Sequence, residues 1–80
     1  MNEIDLHLMS VIEARKYLKT YLNNLDSHVR EVRVVHGYSN GNKLQSFVRK
    51  EFGHKKIERK ILEMNPGVTV LLLARKDILN

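Results

Sequence analysis

The chain has 80 residues, no cysteine and a formal net charge of +5. This length has room for one sheet and two helices but not for a second domain. The missing cysteines exclude a disulfide framework and a thiolate metal site, and no run approaches the roughly 20 apolar residues that cross a bilayer. With no signal-peptide pattern at the start, we expect one cytoplasmic domain over residues 1–80, without a membrane partner.

The excess positive charge lies between residues 43 and 60, whereas basic and acidic residues balance in the rest of the chain. The seven basic residues of this segment are Lys43, Arg49, Lys50, Lys55, Lys56, Arg59 and Lys60. A clustered basic face is typical of proteins that bind a phosphate backbone. It is equally typical of a solvated helix face, so the charge alone favours neither interpretation.

A short strand and a capped helix are the first predicted elements. Residues 4–7, Ile-Asp-Leu-His, alternate apolar and polar side chains at the two-residue period of a strand. Ser10 and Glu13 have the spacing of a capping box, so the helix begins after Ser10, and we expect it to end before His28. Its apolar stripe comprises Val11, Ala14, Leu18, Tyr21, Leu22 and Leu25.

The second strand and helix enclose a glycine-bracketed loop. The β-branched residues Val32, Val34 and Val35 predict a mostly buried strand that ends at His36. Apolar residues at helical spacing predict a helix from about residue 42 to 52. In open α/β sheets, ligands bind at the carboxyl ends of the strands. The backbone N–H groups of residues 37–41 and the start of the helix would suit a phosphate there.

The strand–helix–strand order makes the first two strands parallel, so their carboxyl ends lie side by side. We therefore expect Asp5 and His7 to lie next to His36. Two histidines could serve as acid and base near neutral pH, and Asp5 could select the tautomer of one of them. A strand-end histidine is also often structural, and the parity of His36 with Val34 allows it to face the core.

The last two predicted strands form a hairpin. Residues 56–63 read as a strand with Ile57 and Ile61 on one face. The sequence at 65–67, Asn-Pro-Gly, predicts a type II turn. Residues 68–75 then return antiparallel as a central strand with two apolar faces, and the role of residues 76–80 stays open.

The motifs at 4–7 and at 36–41, His-Gly-Tyr-Ser-Asn-Gly, resemble those of small MutS-related (Smr) domains. That family has Leu-Asp-x-His at the end of its first strand and a His-Gly-x-Gly loop after its second. The resemblance implies an α/β, two-layer β-α-β-α-β-β fold, like the C-terminal domain of translation initiation factor three. Two helices would cover one face of a four-stranded mixed sheet. Leu8 and Ser39 replace glycines of the family pattern, and Gln45 stands near a common arginine.

The resemblance also implies nucleic acid as the partner, since Smr domains are associated with nicking of DNA and with cleavage of RNA, including messenger RNA on stalled ribosomes. The ribosome is therefore a further candidate partner. Asp5, His7 and His36 are the catalytic candidates. The nucleic-acid-binding candidates are Gly37, Tyr38, Ser39, Asn40, Gly41, Lys43, Arg49 and Lys50.

The chemistry favours RNA, because the 2′-hydroxyl can be the nucleophile and no cofactor is then required. DNA cleavage normally needs a divalent metal to activate water, and one carboxylate with two histidines is a thin Mg²⁺ site, so we assign no metal ligands. A nuclease is the first hypothesis and a non-catalytic RNA- or DNA-binding module the second. The third is an adaptor that docks onto a protein or the ribosome. The oligomeric state stays open.

Overall fold

The structure, a computed structural model, describes residues 2–39 and 41–75. The strands are β1 (Asn2–Asp5), β2 (Glu31–Val35), β3 (Ile57–Leu62) and β4 (Val68–Leu73). The helices are α1 (Val11–Asn23) and α2 (Lys43–Ser46), and a π-helical segment (Phe47–Glu51) continues α2. The four strands form one mixed sheet in the order β1-β2-β4-β3, which confirms the predicted β-α-β-α-β-β fold. Asn40 and residues 76–80 lie outside the described residues.

The carboxyl ends of β1 and β2 lie side by side, as the strand–helix–strand unit predicts. The two strands pair in parallel, with Asp5 opposite Val35, and the Leu6 N–H extends the ladder by donating to the Val35 carbonyl at 2.7 Å. Strand β4 pairs antiparallel with the other side of β2, with Val68 opposite Val35. The turn before β4 therefore reaches the same edge of the sheet as His36.

Both helical segments pack on one face of the sheet. The capping box forms, because Ser10 Oγ accepts from the Glu13 N–H at 3.1 Å and Glu13 Oε1 accepts from the Ser10 N–H at 2.9 Å. The shared core contains Ile4, Leu6, Ala14, Leu18, Leu22, Val32, Val34, Phe47, Val48, Phe52, Leu71 and Leu73. Within residues 2–39 and 41–75, no helix has the length and apolar character that crossing a membrane requires.

Two predictions about the C-terminal hairpin are wrong, although its antiparallel pairing is confirmed. A register shift after Ile57 puts Ile57 opposite Leu73 and Ile61 opposite Val70. Ile57 and Ile61 therefore face opposite sides of the sheet, because a one-residue shift exchanges the faces. The turn at 65–68 is not type II, since Gly67 lacks the positive φ that this turn requires.

Candidate functional site

A cavity of about 500 Å³ opens at the edge of the sheet where β1 and β2 end. Its walls come from the turn after β1, the loop after β2 and the starts of both helices. The predicted site residues that line it are Asp5, His7, His36, Gly37, Tyr38, Ser39, Gly41 and Lys43. Arg49 and Lys50 do not line it, and Asn40 lies outside the described residues. The fold thus collects most of the predicted site around one space.

Asp5 and His7 form a hydrogen-bonded pair in this cavity. One Asp5 carboxylate oxygen accepts from the His7 backbone N–H at 2.9 Å and lies 2.6 Å from His7 Nδ1. Because a carboxylate only accepts hydrogen bonds, Nδ1 carries the proton and donates a hydrogen bond to Asp5. The backbone bond first, and then the side-chain bond, lower the pKa of Asp5 below its usual value.

The second ring nitrogen of His7 is the one that can act on a ligand. About half of the His7 side chain is exposed, and Nε2 has no hydrogen-bond partner among residues 2–39 and 41–75. In the neutral imidazole with a proton on Nδ1, Nε2 has a lone pair and can accept a proton. The arrangement resembles the base and orienting acid of a catalytic triad.

The turn that forms this pair places Leu8 in the left-handed region, with φ 72°. This conformation costs an L residue about 1–2 kcal/mol, and glycine adopts it freely. Leu8 therefore has a backbone conformation that favours glycine, the residue of the family pattern at this position. Ser39 carries no such strain, because its φ is not positive; among the described residues of the loop, Gly37 (78°) and Gly41 (104°) have positive φ angles.

His36, in contrast, is enclosed by the protein and only 2% exposed. Its Nδ1 lies 3.1 Å from the Gly37 carbonyl, and its Nε2 lies 2.8 Å from Thr69 Oγ1. The carbonyl accepts only, so Nδ1 carries the proton, and Nε2 of the neutral ring accepts from the Thr69 hydroxyl. Thr69 Oγ1 in turn accepts from Arg49 Nε at 2.8 Å. We call this chain of hydrogen bonds, Arg49 to Thr69 to His36 to Gly37, the relay.

The relay favours the neutral form of the His36 imidazole. Burial lowers the pKa of His36, the hydrogen bond to Gly37 opposes this effect, and the charge of Arg49 adds to it. Protonation of Nε2 would make Thr69 Oγ1 accept from two donors and lose its own acceptor. The parity argument for a core-facing His36 is therefore confirmed, while its assignment to catalysis stays a prediction.

The loop after β2 packs directly on the turn before β4. The Gly67 carbonyl accepts from the backbone N–H groups of His36 at 2.9 Å and Gly37 at 3.0 Å. A Cβ on Gly67 would lie 3.3 Å from Gly37 Cα, a tight contact, so this close approach favours glycine. Gln45 Nε2 also donates to the Pro66 carbonyl at 2.7 Å. The sequence did not predict these contacts between the turn and the loop after β2, and the one signal for them was the Asn-Pro-Gly turn itself.

Two of the loop amides predicted to hold a phosphate already have partners within the protein. The Gly37 N–H donates to Gly67, and the Gly41 N–H donates to the Tyr38 carbonyl at 3.1 Å. The N–H groups of Tyr38 and Ser39 have no such partner among the described residues. Together with Lys43, they are donors that a phosphate in the cavity could use.

The basic segment at 43–60 is divided between fold and surface. Arg49 Nη2 donates to the Val68 carbonyl at 2.8 Å, in addition to its place in the relay. Lys56 Nζ donates to the Leu22 carbonyl at the end of α1, and Lys60 Nζ donates to the Phe52 carbonyl. The exposed basic residues of the segment are Lys43, Lys50, Lys55 and Arg59. Among these four, Lys43 is the one that lines the cavity.

A second Asp-x-His pair lies at the opposite end of the sheet, before β2 begins. Asp26 Oδ1 accepts from the His28 backbone N–H at 2.7 Å and lies 3.0 Å from His28 Nδ1. This geometry repeats that of Asp5 and His7, but the pair lies outside the cavity. Within residues 2–39 and 41–75, no three His, Asp or Glu side chains cluster closely enough to hold a metal ion.

Comparison with known proteins agrees with the fold and the two motifs. The sequence matches the Smr domain family over residues 4–73. The chain belongs to the Smr domain family. It is similar to the crystal structure of the Smr domain of Thermus thermophilus MutS2, with a TM-score of 0.81 and 24% identity, over 92% of this chain and 99% of that chain. No curated protein is significantly similar in sequence. The resemblance inferred from the motifs is confirmed, and the chain is a nuclease-related module.

Proposed function

We propose that this Smr domain is an endonuclease that cleaves RNA in the cavity beside His7. The observation that carries the proposal is the Asp5–His7 pair, whose Nε2 is unpaired in a cavity that also contains Lys43. A histidine oriented by a carboxylate is a suitable general base near neutral pH. A basic side chain at the same place supplies charge for a phosphate.

The reaction that fits these groups is a transesterification within RNA. His7 Nε2 removes the proton of a 2′-hydroxyl, the 2′-oxygen attacks the adjacent phosphorus, and the bond from phosphorus to the 5′-oxygen breaks. The leaving 5′-oxygen takes a proton from Lys43 or from water, and the products are a 2′,3′-cyclic phosphate and a 5′-hydroxyl. Asp5 stabilises the imidazolium that forms during the attack. This route has one imidazole in contact with the substrate.

A non-catalytic RNA- or DNA-binding module is the second candidate. The observation that favours it is the relay, because both ring nitrogens of His36 are hydrogen-bonded inside the protein. A site designed for acid and base catalysis by two histidines would need a free nitrogen on each. Binding through Lys43 and the Tyr38–Ser39 amides needs neither.

The test is cleavage of end-labelled RNA and DNA, in single-stranded, duplex and branched forms, with and without EDTA. We expect the wild type to cut RNA in EDTA and to leave a 2′,3′-cyclic phosphate. His7→Ala should slow cleavage by at least about 100-fold, the usual contribution of a general base, while binding persists. His28→Ala is the matched control, because it removes the same type of Asp-paired histidine outside the cavity.

Two results would reject the nuclease. Equal cleavage by the wild type and by His7→Ala, purified in the same way, would show that the activity belongs to another site or to a contaminant. A wild type that binds the substrates and cuts none, including ribosome-bound RNA, would establish the binding module instead.

A further inference from the structure

Two exposed nonpolar side chains border the cavity. Leu8 is 77% exposed and Tyr38 is 49% exposed, and both line the cavity. Leu8 has two energetically unfavourable features: its apolar side chain is exposed to water, and its backbone is strained at φ 72°. Strain of this kind persists where the surrounding structure imposes it, and it concentrates at functional sites.

The lining of the cavity is partly polar and partly apolar. Its charged and ionisable groups next to the place proposed for the phosphate include Asp5, His7 and Lys43. Its apolar lining consists of Met9, Val11, Val35 and Leu44, in addition to Leu8. A phosphate and a ribose would use the polar part alone. An apolar wall with an aromatic side chain at the rim suits a flat group with nonpolar faces, which in a nucleic acid is the base.

The dimensions of the cavity allow for a base beside the phosphate. A volume of about 500 Å³ lies within the range of roughly 300–1,000 Å³ in which proteins enclose small organic molecules. In a duplex, neighbouring bases cover both faces of each base, and insertion into a pocket requires unstacking. A single-stranded segment exposes these faces without that cost.

We propose that Leu8 and Tyr38 form a subsite for the base of one unpaired nucleotide next to the cleaved phosphate. The inference rests on the proposed function and deepens it, because it assigns the substrate to single-stranded or locally unpaired RNA. Tyr38 stacks on the base, and Leu8 contacts the base from the turn that holds His7. Sequence specificity is low, since every base has a π-face.

The experiment uses a DNA oligonucleotide that contains a single ribonucleotide, so that 2′-hydroxyl attack is confined to one phosphodiester. An abasic residue is then placed at the ribonucleotide or at one of the positions next to it. We expect removal of one particular base to lower kcat/KM by about tenfold, the size of a typical base–aromatic stack. Tyr38→Ala should cause the same loss with the intact oligonucleotide, and Tyr38→Phe should not.

Combining Tyr38→Ala with the abasic oligonucleotide tests for direct contact between Tyr38 and that base. If Tyr38 stacks on that base, the abasic oligonucleotide and Tyr38→Ala have effects that are not additive. Tyr17→Ala is the matched control, because Tyr17 is 47% exposed but does not line the cavity. Leu8→Gly should raise the urea midpoint, because it relieves the backbone strain, and should nevertheless lower kcat/KM by a few fold. If the role of Leu8 were only structural, Leu8→Gly would shift the urea midpoint and kcat/KM in the same direction.

The outcomes separate this proposal from the nuclease itself. Full cleavage of the abasic oligonucleotides, or equal cleavage of duplex and single strand, would overturn the subsite and leave the nuclease standing. If the wild type cuts neither these oligonucleotides nor ribosome-bound RNA, the nuclease fails, and fluorescence anisotropy with the same oligonucleotides tests the subsite alone. Base-dependent binding that Tyr38→Ala abolishes would then support it, and binding independent of the base would reject it.

Discussion

Replacing Thr69 with valine tests the relay most directly. Valine has nearly the same shape as threonine, but it cannot accept from Arg49 Nε or donate to His36 Nε2. Thr69 is fully buried, so water cannot replace the missing hydroxyl there. Each buried group left without a partner costs about 1–3 kcal/mol. We expect Thr69→Val to lower the free energy of unfolding by about 2–4 kcal/mol, measured by urea denaturation with far-UV circular dichroism.

Thr69→Ser is the control, because it keeps the hydroxyl and loses one methyl group, worth about 1 kcal/mol. Nitrogen NMR of His36 gives an independent readout, since the relay requires a neutral ring with the proton on Nδ1. A Thr69→Val protein as stable as Thr69→Ser would refute the relay as a stabilising network. A His36 ring protonated on Nε2 would refute the direction of its hydrogen bonds.

Two further predictions concern the packing around this site. Burial lowers the pKa of His36 in the folded state, whereas a histidine in the unfolded chain has a pKa of about 6.5. Below that pH the unfolded chain therefore binds more protons than the folded protein. The contribution of His36 to the free energy of unfolding should be complete above that pH and should fall as the pH drops towards the folded-state pKa. Urea midpoints at pH 7.5, 6.5 and 5.5 should show this slope, reduced in His36→Gln, and an unchanged slope would exclude His36 as its cause. Gly67→Ala should cost about 1–3 kcal/mol, because the new Cβ meets Gly37 Cα at 3.3 Å. Gly53→Ala, with open space around the added Cβ, should change stability little, and equal midpoints for the two alanine variants would show that the loop absorbs the contact.

The meeting of Asp5, His7 and His36 could be predicted because it follows from local rules. The two-residue period predicted the first strand over residues 4–7, although β1 ends at Asp5 and His7 lies in the turn that follows. The capping box located the start of α1. A helix between two strands then made those strands parallel neighbours. Each step depends on residues close in sequence, or on the general geometry of the strand–helix–strand unit.

The roles of the two histidines could not be separated in this way. The ring of His36 is held by Thr69, which lies 33 residues away on β4. That contact depends on the register between β2 and β4, which places Val34 opposite Thr69. Parity showed only that His36 could face the core. The same limit applies to charge, because sequence could not show that Arg49, Lys56 and Lys60 point towards backbone carbonyls.

The second Asp-x-His pair shows that this motif alone does not define a functional site. Asp26 and His28 make the same two contacts as Asp5 and His7, so the pairing forms within a local turn and does not by itself mark a catalytic site. What differs is the surroundings. His7 follows a strand whose end meets His36, the Gly37 loop and Lys43 across one cavity, whereas His28 precedes a strand at the other end of the sheet. If cleavage depends on His7 and is indifferent to His28, the fold supplies the function by placing one of two equivalent pairs beside a phosphate site.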